Sequence, residues 1–288
     1  MHSDFVAPSV ELFFGHVSMA EARIYARWTA NSIGEGPITG TIRGPRCAYS
    51  KTLPATIPFR EKGPGLTRLI EAIVPDPCLW TPELPFLYDV SIEWHNSQQQ
   101  HQTTRQVVGM RAFGVRDGGF RWETRPWVLR AQRVASANPH DFPLWRDADV
   151  ALAVPWPEDS LCQQAGEVGT MLVALCHDAA SNPLAELQRL SRWPAVVLAV
   201  LPISTAWPAD LTRLVPNLLL AETHQTSQPL SPWATLAVWD NPAPPPQEYA
   251  GKPVVWFPPC PLSEPFPNLA QLSAKQNEAK STPAGYII

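Results

Sequence analysis

The sequence predicts a multidomain β plus α/β chain: an antiparallel β-sandwich through about residue 115, then a region of alternating strands and helices on a parallel sheet. Three observations carry this reading. Early segments alternate apolar and polar residues with a period of two, as in Ile24, Ala26 and Trp28 against Arg23, Tyr25, Arg27 and Thr29. From about Pro126 short continuous apolar runs recur roughly every 20 residues, which is the pattern of strands buried on both faces. The 33 prolines among 288 residues are spread between these runs and punctuate them.

In the first half, Val90, Ile92 and Trp94 alternate with Asp89, Ser91 and Glu93. Further β-rich pieces lie at Thr39 to Arg43, Leu69 to Val74 and Thr103 to Met110, and Gly, Pro and Asn clusters separate them at sandwich-like spacings. In the second half the apolar runs are Val150 to Val154, Thr170 to Leu175, Ala195 to Leu201, Leu218 to Ala221, Thr235 to Val238 and Val254 to Phe257. They suit either a barrel or an open doubly wound layer. Two intervening helices are legible. Asn182 is placed to cap a helix that starts at Pro183 and shows Leu184, Leu187 and Leu190 on one face. Leu161, Ala165 and Val168 mark another, which Gly169 ends. Four prolines between Asn241 and Gln247 predict an irregular connector.

Composition narrows the function classes. Charged residues make up 17% and apolar ones 45%, with a net charge of −4 and no basic stripe, so nucleic acid and anionic membranes are not expected partners. The longest apolar stretch, Pro194 to Ile203, is about half of a membrane-spanning length. No leader is visible at the start, and the expectation is a soluble, cytoplasmic chain. The five cysteines stand far apart without a Cys-x-x-Cys pair, which predicts buried free thiols and no metal site.

The segment Leu79-Trp80-Thr81-Pro82-Glu83-Leu84-Pro85-Phe86-Leu87-Tyr88 resembles the Leu-Trp-[Ser/Thr]-Pro-Glu-x-Pro-x-Leu-Tyr signature of glycoside hydrolase family 2. The similarity continues in order. Gly109-Met110-Arg111 with Phe113 is similar to the family's Gly-Phe-Arg element, and Trp127 to Ala131 resembles its barrel-entering Val-x-Leu-Arg-Gly, with Ala131 in place of Gly. The segment Glu158 to Ala174, Arg192 to Leu198, Gly251 to Val255 and Gly285 to Ile288 resemble successive later elements. The resemblance implies an immunoglobulin-like β-sandwich over residues 1–120 and a reduced (β/α)8-type (TIM) barrel over 126–288. From Pro126 onward 163 residues are available, against about 250 for a usual barrel. It also implies a sugar substrate and no cofactor.

Retaining glycosidases need two carboxyl groups about 5 Å apart. Extending the resemblance puts the family's acid/base near Ile203 and Ser204 and its nucleophile at or beside Pro258. Neither position is acidic, and Leu198 to Trp207 and Val254 to Leu262 contain no Asp or Glu. No catalytic residue is therefore assigned on the family pattern. Asp178, Glu222 and Asp240, at the carboxyl ends of predicted strands, are candidates for a relocated pair, against the simpler account that polar residues gather where chains exit to water. A triad of His177-Asp178 with Ser204 lacks the Gly-x-Ser-x-Gly elbow. His140, Trp156 and Trp239 are candidate ligand contacts, with Trp207 and Trp256 also near strand ends, where core or rim packing competes with stacking on a sugar. The expected function is a glycoside hydrolase family 2-like pseudoenzyme with residual carbohydrate binding or scaffolding of a protein partner. The alternative is an active O-glycosyl hydrolase using the relocated acids.

Overall fold

The computed structural model describes residues 10–28, 36–63, 68–177, 180–203, 205–226, 228–241, 243, 251–257 and 284–287. The chain divides into two compact units, one of residues 1–111 with 192–194 and the other of residues 112–191 with 195–288.

The first unit is a β-sandwich. One sheet has the order β1-β2-β6-β5, from Val10–Val17, Glu21–Trp28, Leu69–Pro75 and Arg60–Glu61; the other has the order β4-β3-β7-β8, from Ala55–Pro58, Thr39–Arg46, Leu87–His95 and His101–Val108. The pairs within both sheets are antiparallel. The predicted alternation is realised: Ile24, Ala26 and Trp28 on β2 and Val90, Ile92 and Trp94 on β7 are buried. Trp28 and Trp94 meet edge-on, with ring centroids 5.9 Å apart.

The proline-rich signature has a local cause. Trp80 is fully buried, its amide donates to Met110 O at 2.6 Å, and a bridge to Pro85 closes the turn that delivers Leu87 into β7. Tyr88 is buried behind it, accepting from Cys78 N at 2.9 Å, and burial pushes its phenol up to about 12.

Glu71 on β6 is 7% exposed. Burial by itself would raise its carboxyl, but hydrogen bonds from Lys62 at 2.9 Å and from Tyr25, with the charges of Lys62 and Arg23, hold it below the ordinary value. A depressed folded value means that this carboxylate stabilises the sandwich above the ordinary carboxyl range and that the contribution is lost as pH falls through the lowered value. Lys62→Met should therefore flatten the acid side of the stability–pH curve below about pH 5, measured by urea titrations at successive pH values. An unchanged curve would remove Lys62 from this account.

The second unit begins with a three-stranded antiparallel sheet, order β11-β10-β9, from Arg125–Trp127, Gly119–Trp122 and Phe113–Arg116. Phe113, Phe120, Trp122 and Trp127 interlock on it, with centroids 4.9 to 6.1 Å apart. A closed barrel of eight parallel strands follows: β12 Leu129–Arg133, β13 Ala151–Pro155, β14 Leu172–Leu175, β15 Val196–Pro202, β16 Leu219–His224, β17 Leu236–Trp239, β18 Val254–Trp256 and β19 Gly285–Ile287. The barrel alternative is thus realised over the open layer, and β19 returns to pair with β12.

Helices α1 Phe142–Asp147, α2 Asp159–Val168, α3 Pro183–Ser191 and the one-turn α4 Leu211–Leu214 occupy the first four connections. The predicted caps are present. Asn182 Oδ1 accepts from Ala185 N at 3.2 Å, and Gly169 ends α2 in the left-handed region at φ 94°. On α2 the buried residues are Cys162, Ala165 and Gly166, so its inner face is rotated from the predicted one. Arg189 of α3 is buried, and it binds Asp159, Glu186 and Pro157 O at 2.8, 2.8 and 2.9 Å.

The α/β expectation needs one correction. The described residues of the connection from β16 to β17 carry no helix, so strand–helix alternation is interrupted there. The physical reason lies in 225–235, where Pro229 and Pro232 interrupt any helical hydrogen-bond ladder. No helix among the described residues is long and apolar enough to cross a membrane.

Candidate functional site

Which side of the barrel wall each residue faces decides what it can do. Successive strand residues alternate sides, and residues paired laterally share a side. Arg130 of β12 binds Asp149 in the connection that carries α1, so Arg130 and Gln132, with Leu152, Leu172 and Ala174 in register beside them, face the helical layer. Register carries that side across the sheet from Ala174 to Ala199 to Leu220, and hence to Glu222 and His224 two and four residues on. Thr223, Val238 and Val255 face the barrel interior.

Glu222 therefore lies within β16 with its carboxylate on the outer side. It is 1% exposed and its neighbour His224 is 2% exposed. One carboxylate oxygen, Oε2, lies 2.9 Å from His224 Nε2 and accepts from Ser231 N at 2.8 Å. The other, Oε1, accepts from Ser231 Oγ at 2.5 Å. Ser231 belongs to the helix-free connection, so this cluster pins that connection to the barrel wall.

Asp240 is half-buried just after β17 and accepts from Gln225 Nε2 at 3.3 Å. Neither of these two carboxylates contacts the other. Asp178 and Ser204 lie outside the described residues, as does Pro258. Ile203, beside Ser204, is 49% exposed.

His140 is exposed in a 3-10 turn, Pro139–Asp141, where its amide donates to Asn138 Oδ1 at 3.2 Å. Trp156 is half-buried after β13 with φ 35°, and its amide donates to Leu175 O at 3.3 Å. Trp239 is buried on the outer side, packed with Ala237 and Val254 and flanked by Leu230 and Trp256. Its Nε1 donates to Ala243 O at 2.9 Å, and Trp256 Nε1 donates to Asn241 O at 3.0 Å. These two indoles hold the wall and its connector together. Trp207 is half-buried in the loop before α4.

Sequence reasoning met His177 only in a discounted triad and missed Arg133 and Phe257, with which it converges at the carboxyl end of the barrel interior. Phe257 follows β18 on the inner side, two residues beyond Val255, and is buried. Arg133, at the end of β12, holds its guanidinium carbon 5.3 Å from the centre of the Phe257 ring. His177, just after β14, stacks on the same ring with centroids 6.3 Å apart and planes 14° from parallel. The three come from strands that are not neighbours, and only barrel closure brings them together. A signal was available for His177 and Phe257, which stand at or just past the end of an apolar run, whereas Arg133 follows the mixed segment from Val128 to Gln132.

Among the described residues no group of three or more His, Cys, Asp or Glu is arranged to hold a metal ion. The arrangement brings a buried aromatic ring, a half-buried cation and an exposed imidazole into one cluster. Among the described residues it contributes no carboxyl group.

The family model for glycosyl hydrolases family 2 matches residues 31–111, a stretch that lies within the sandwich. A β-galactosidase of Leuconostoc mesenteroides is 30% identical over 73 residues, which are 25% of this chain and 7% of that protein. Among solved structures, a Bacteroides uniformis β-glucuronidase superposes with a TM-score of 0.62 at 15% identity, over 97% of this chain and 45% of that one. A Parabacteroides merdae β-glucuronidase gives 0.61 at 12% identity, over 98% and 47%. A family 2 member from Bacteroides cellulosilyticus gives 0.61 at 13%, over 97% and 43%. The chain spans less than half the length of these structures and a small part of the curated relative, and the structural likeness speaks for the fold.

Proposed function

We propose that this chain is a family 2-like pseudo-glycosidase whose barrel mouth binds a saccharide without cleaving it. The observation that carries the reading is Phe257. The inner position just past β18, beside the one where the resemblance puts a nucleophilic carboxylate, is a buried phenyl ring carrying Arg133. A guanidinium at that point opposes the positive charge that develops on a sugar during glycosidic cleavage, where the mechanism needs an anion. At the end of β15, Leu201, Pro202 and Ile203 offer no acid either. Glu222 is committed to Ser231 and His224 on the other side of the wall.

The test is turnover of a panel of chromogenic β-glycosides by the purified chain and by Asp178→Asn, Glu222→Gln and Asp240→Asn. The expected result is no release above the buffer rate for any of them. Turnover by the parent that one folded variant abolishes would overturn the reading in favour of an active hydrolase with a relocated pair. Scaffolding of a protein partner is the reading left if no saccharide binds.

A further inference from the structure

We infer that the tip of the β7–β8 hairpin is a binding site for a late divalent transition-metal ion, copper(II) above all, which His95 and His101 chelate together. The two residues stand directly opposite each other in the antiparallel pair. One step beyond them Asn96 N donates to Gln100 O at 3.0 Å, so Asn96 and Gln100 form a hydrogen-bonded pair and His95 and His101 the alternate kind, in which side chains come closest. Their rings lie with centroids 5.7 Å apart and planes at 74°. Imidazole is a donor that suits copper, nickel and zinc, and copper(II) heads the usual affinity order.

A second observation points the same way: the turn that carries the pair is cross-braced. Asn96 Oδ1 accepts from the amides of Gln98 and Gln100 at 3.0 and 2.9 Å, and Asn96 Nδ2 donates to Gln100 Oε1 at 3.0 Å. Gln99 takes the left-handed conformation that a three-residue loop needs, at φ 60°, and its amide donates to Asn96 O at 2.9 Å. Imidazoles held at a fixed separation lose little freedom on meeting an ion, and the second one closes on the metal as an intramolecular step. Glu93, two residues before His95 on the same face of β7, sets a carboxylate oxygen 3.7 Å from His101 Nε2 and adds negative charge beside the ion. His101 and Glu93 are exposed and His95 is half-buried, so the ion arrives from solvent and water fills its remaining positions. Such a site uses two protein donors, where a structural or catalytic zinc centre uses three or four.

The experiment titrates the whole chain with copper(II)–nitrilotriacetate, a complex that leaves two adjacent coordination positions open, and follows binding by calorimetry and electron paramagnetic resonance near neutral pH. The expected result is one complex held at the hairpin, with the signature of two imidazole nitrogens. His95→Ala and His101→Ala should each weaken that binding at least about tenfold, because the imidazole left behind acts alone. Both variants should keep the circular dichroism of the parent and a melting temperature close to it in the absence of metal. Glu93→Gln should weaken binding by about two- to threefold, as the loss of one exposed charge does. His140→Ala, a change at an exposed histidine outside the hairpin, should leave it at the parent's strength. A His95→Ala/His101→Ala double variant that takes up as much copper as the parent would overturn the site. Sensitivity to only one of the two substitutions, or a spectrum with a single imidazole nitrogen, would overturn the chelate, since either describes a lone histidine.

Discussion

Replacing Glu222 with Ala is expected to destabilise the barrel unit by about 3 to 5 kcal/mol, the usual cost of removing one member of a buried, fully bonded polar cluster. The carboxylate accepts two bonds from Ser231 and lies 2.9 Å from the His224 ring, so its loss strands a buried hydroxyl, an amide and an imidazole together. In a unit of this size the melting temperature should fall by roughly 8 to 15 °C, read by tryptophan fluorescence or calorimetry. Ser231→Ala removes only the hydroxyl and should cost about 1 to 2 kcal/mol. A Glu222→Ala protein that melts with the parent would refute the structural role and return Glu222 to the list of catalytic candidates.

Gly285→Ala should be at least as damaging, because it acts where the barrel closes. A Cβ built at Gly285 lies 2.5 Å from Leu129 O and 2.9 Å from Leu129 Cα, and both are backbone atoms of the paired strand β12. Backbone cannot rotate aside as a flexible side chain can, so β12 and β19 must separate locally. The expected loss is about 3 kcal/mol or more, accompanied by faster amide exchange along both strands. Normal exchange at Leu129 to Ala131 in the variant would contradict this account of closure.

Much of the architecture was readable from residues alone, and the reasons are local. Alternation placed β2 and β7 because one sandwich face is dry, and Asn182-Pro183 announced α3 because a cap and a proline leave distinct marks on the chain. The apolar runs announced the barrel strands because both faces of that sheet are covered. The sheet formed by β9, β10 and β11 escaped notice: its strands are three or four residues long, and its aromatic cluster forms only after the strands pair.

The site was less legible than the fold. Glu222 drew attention as an acid at a strand end, but a sequence position does not say which side of a barrel wall a side chain meets. That follows from the register running from β14 to β16. Arg133, His177 and Phe257 are separated by 44 and 80 residues, and no spacing rule joins them. Their meeting is a property of the closed ring.

That ring also sets the order of events during folding. The first barrel strand finds one of its two lateral partners in β19, roughly 150 residues later, whereas the sandwich strands all pair within the first 108. Long-range pairing carries the larger loop-closure entropy and is correspondingly slow. A nascent chain would thus hold a finished sandwich while β12 waits with an unsatisfied edge, and that waiting strand is where chaperone contact or self-association would first take hold.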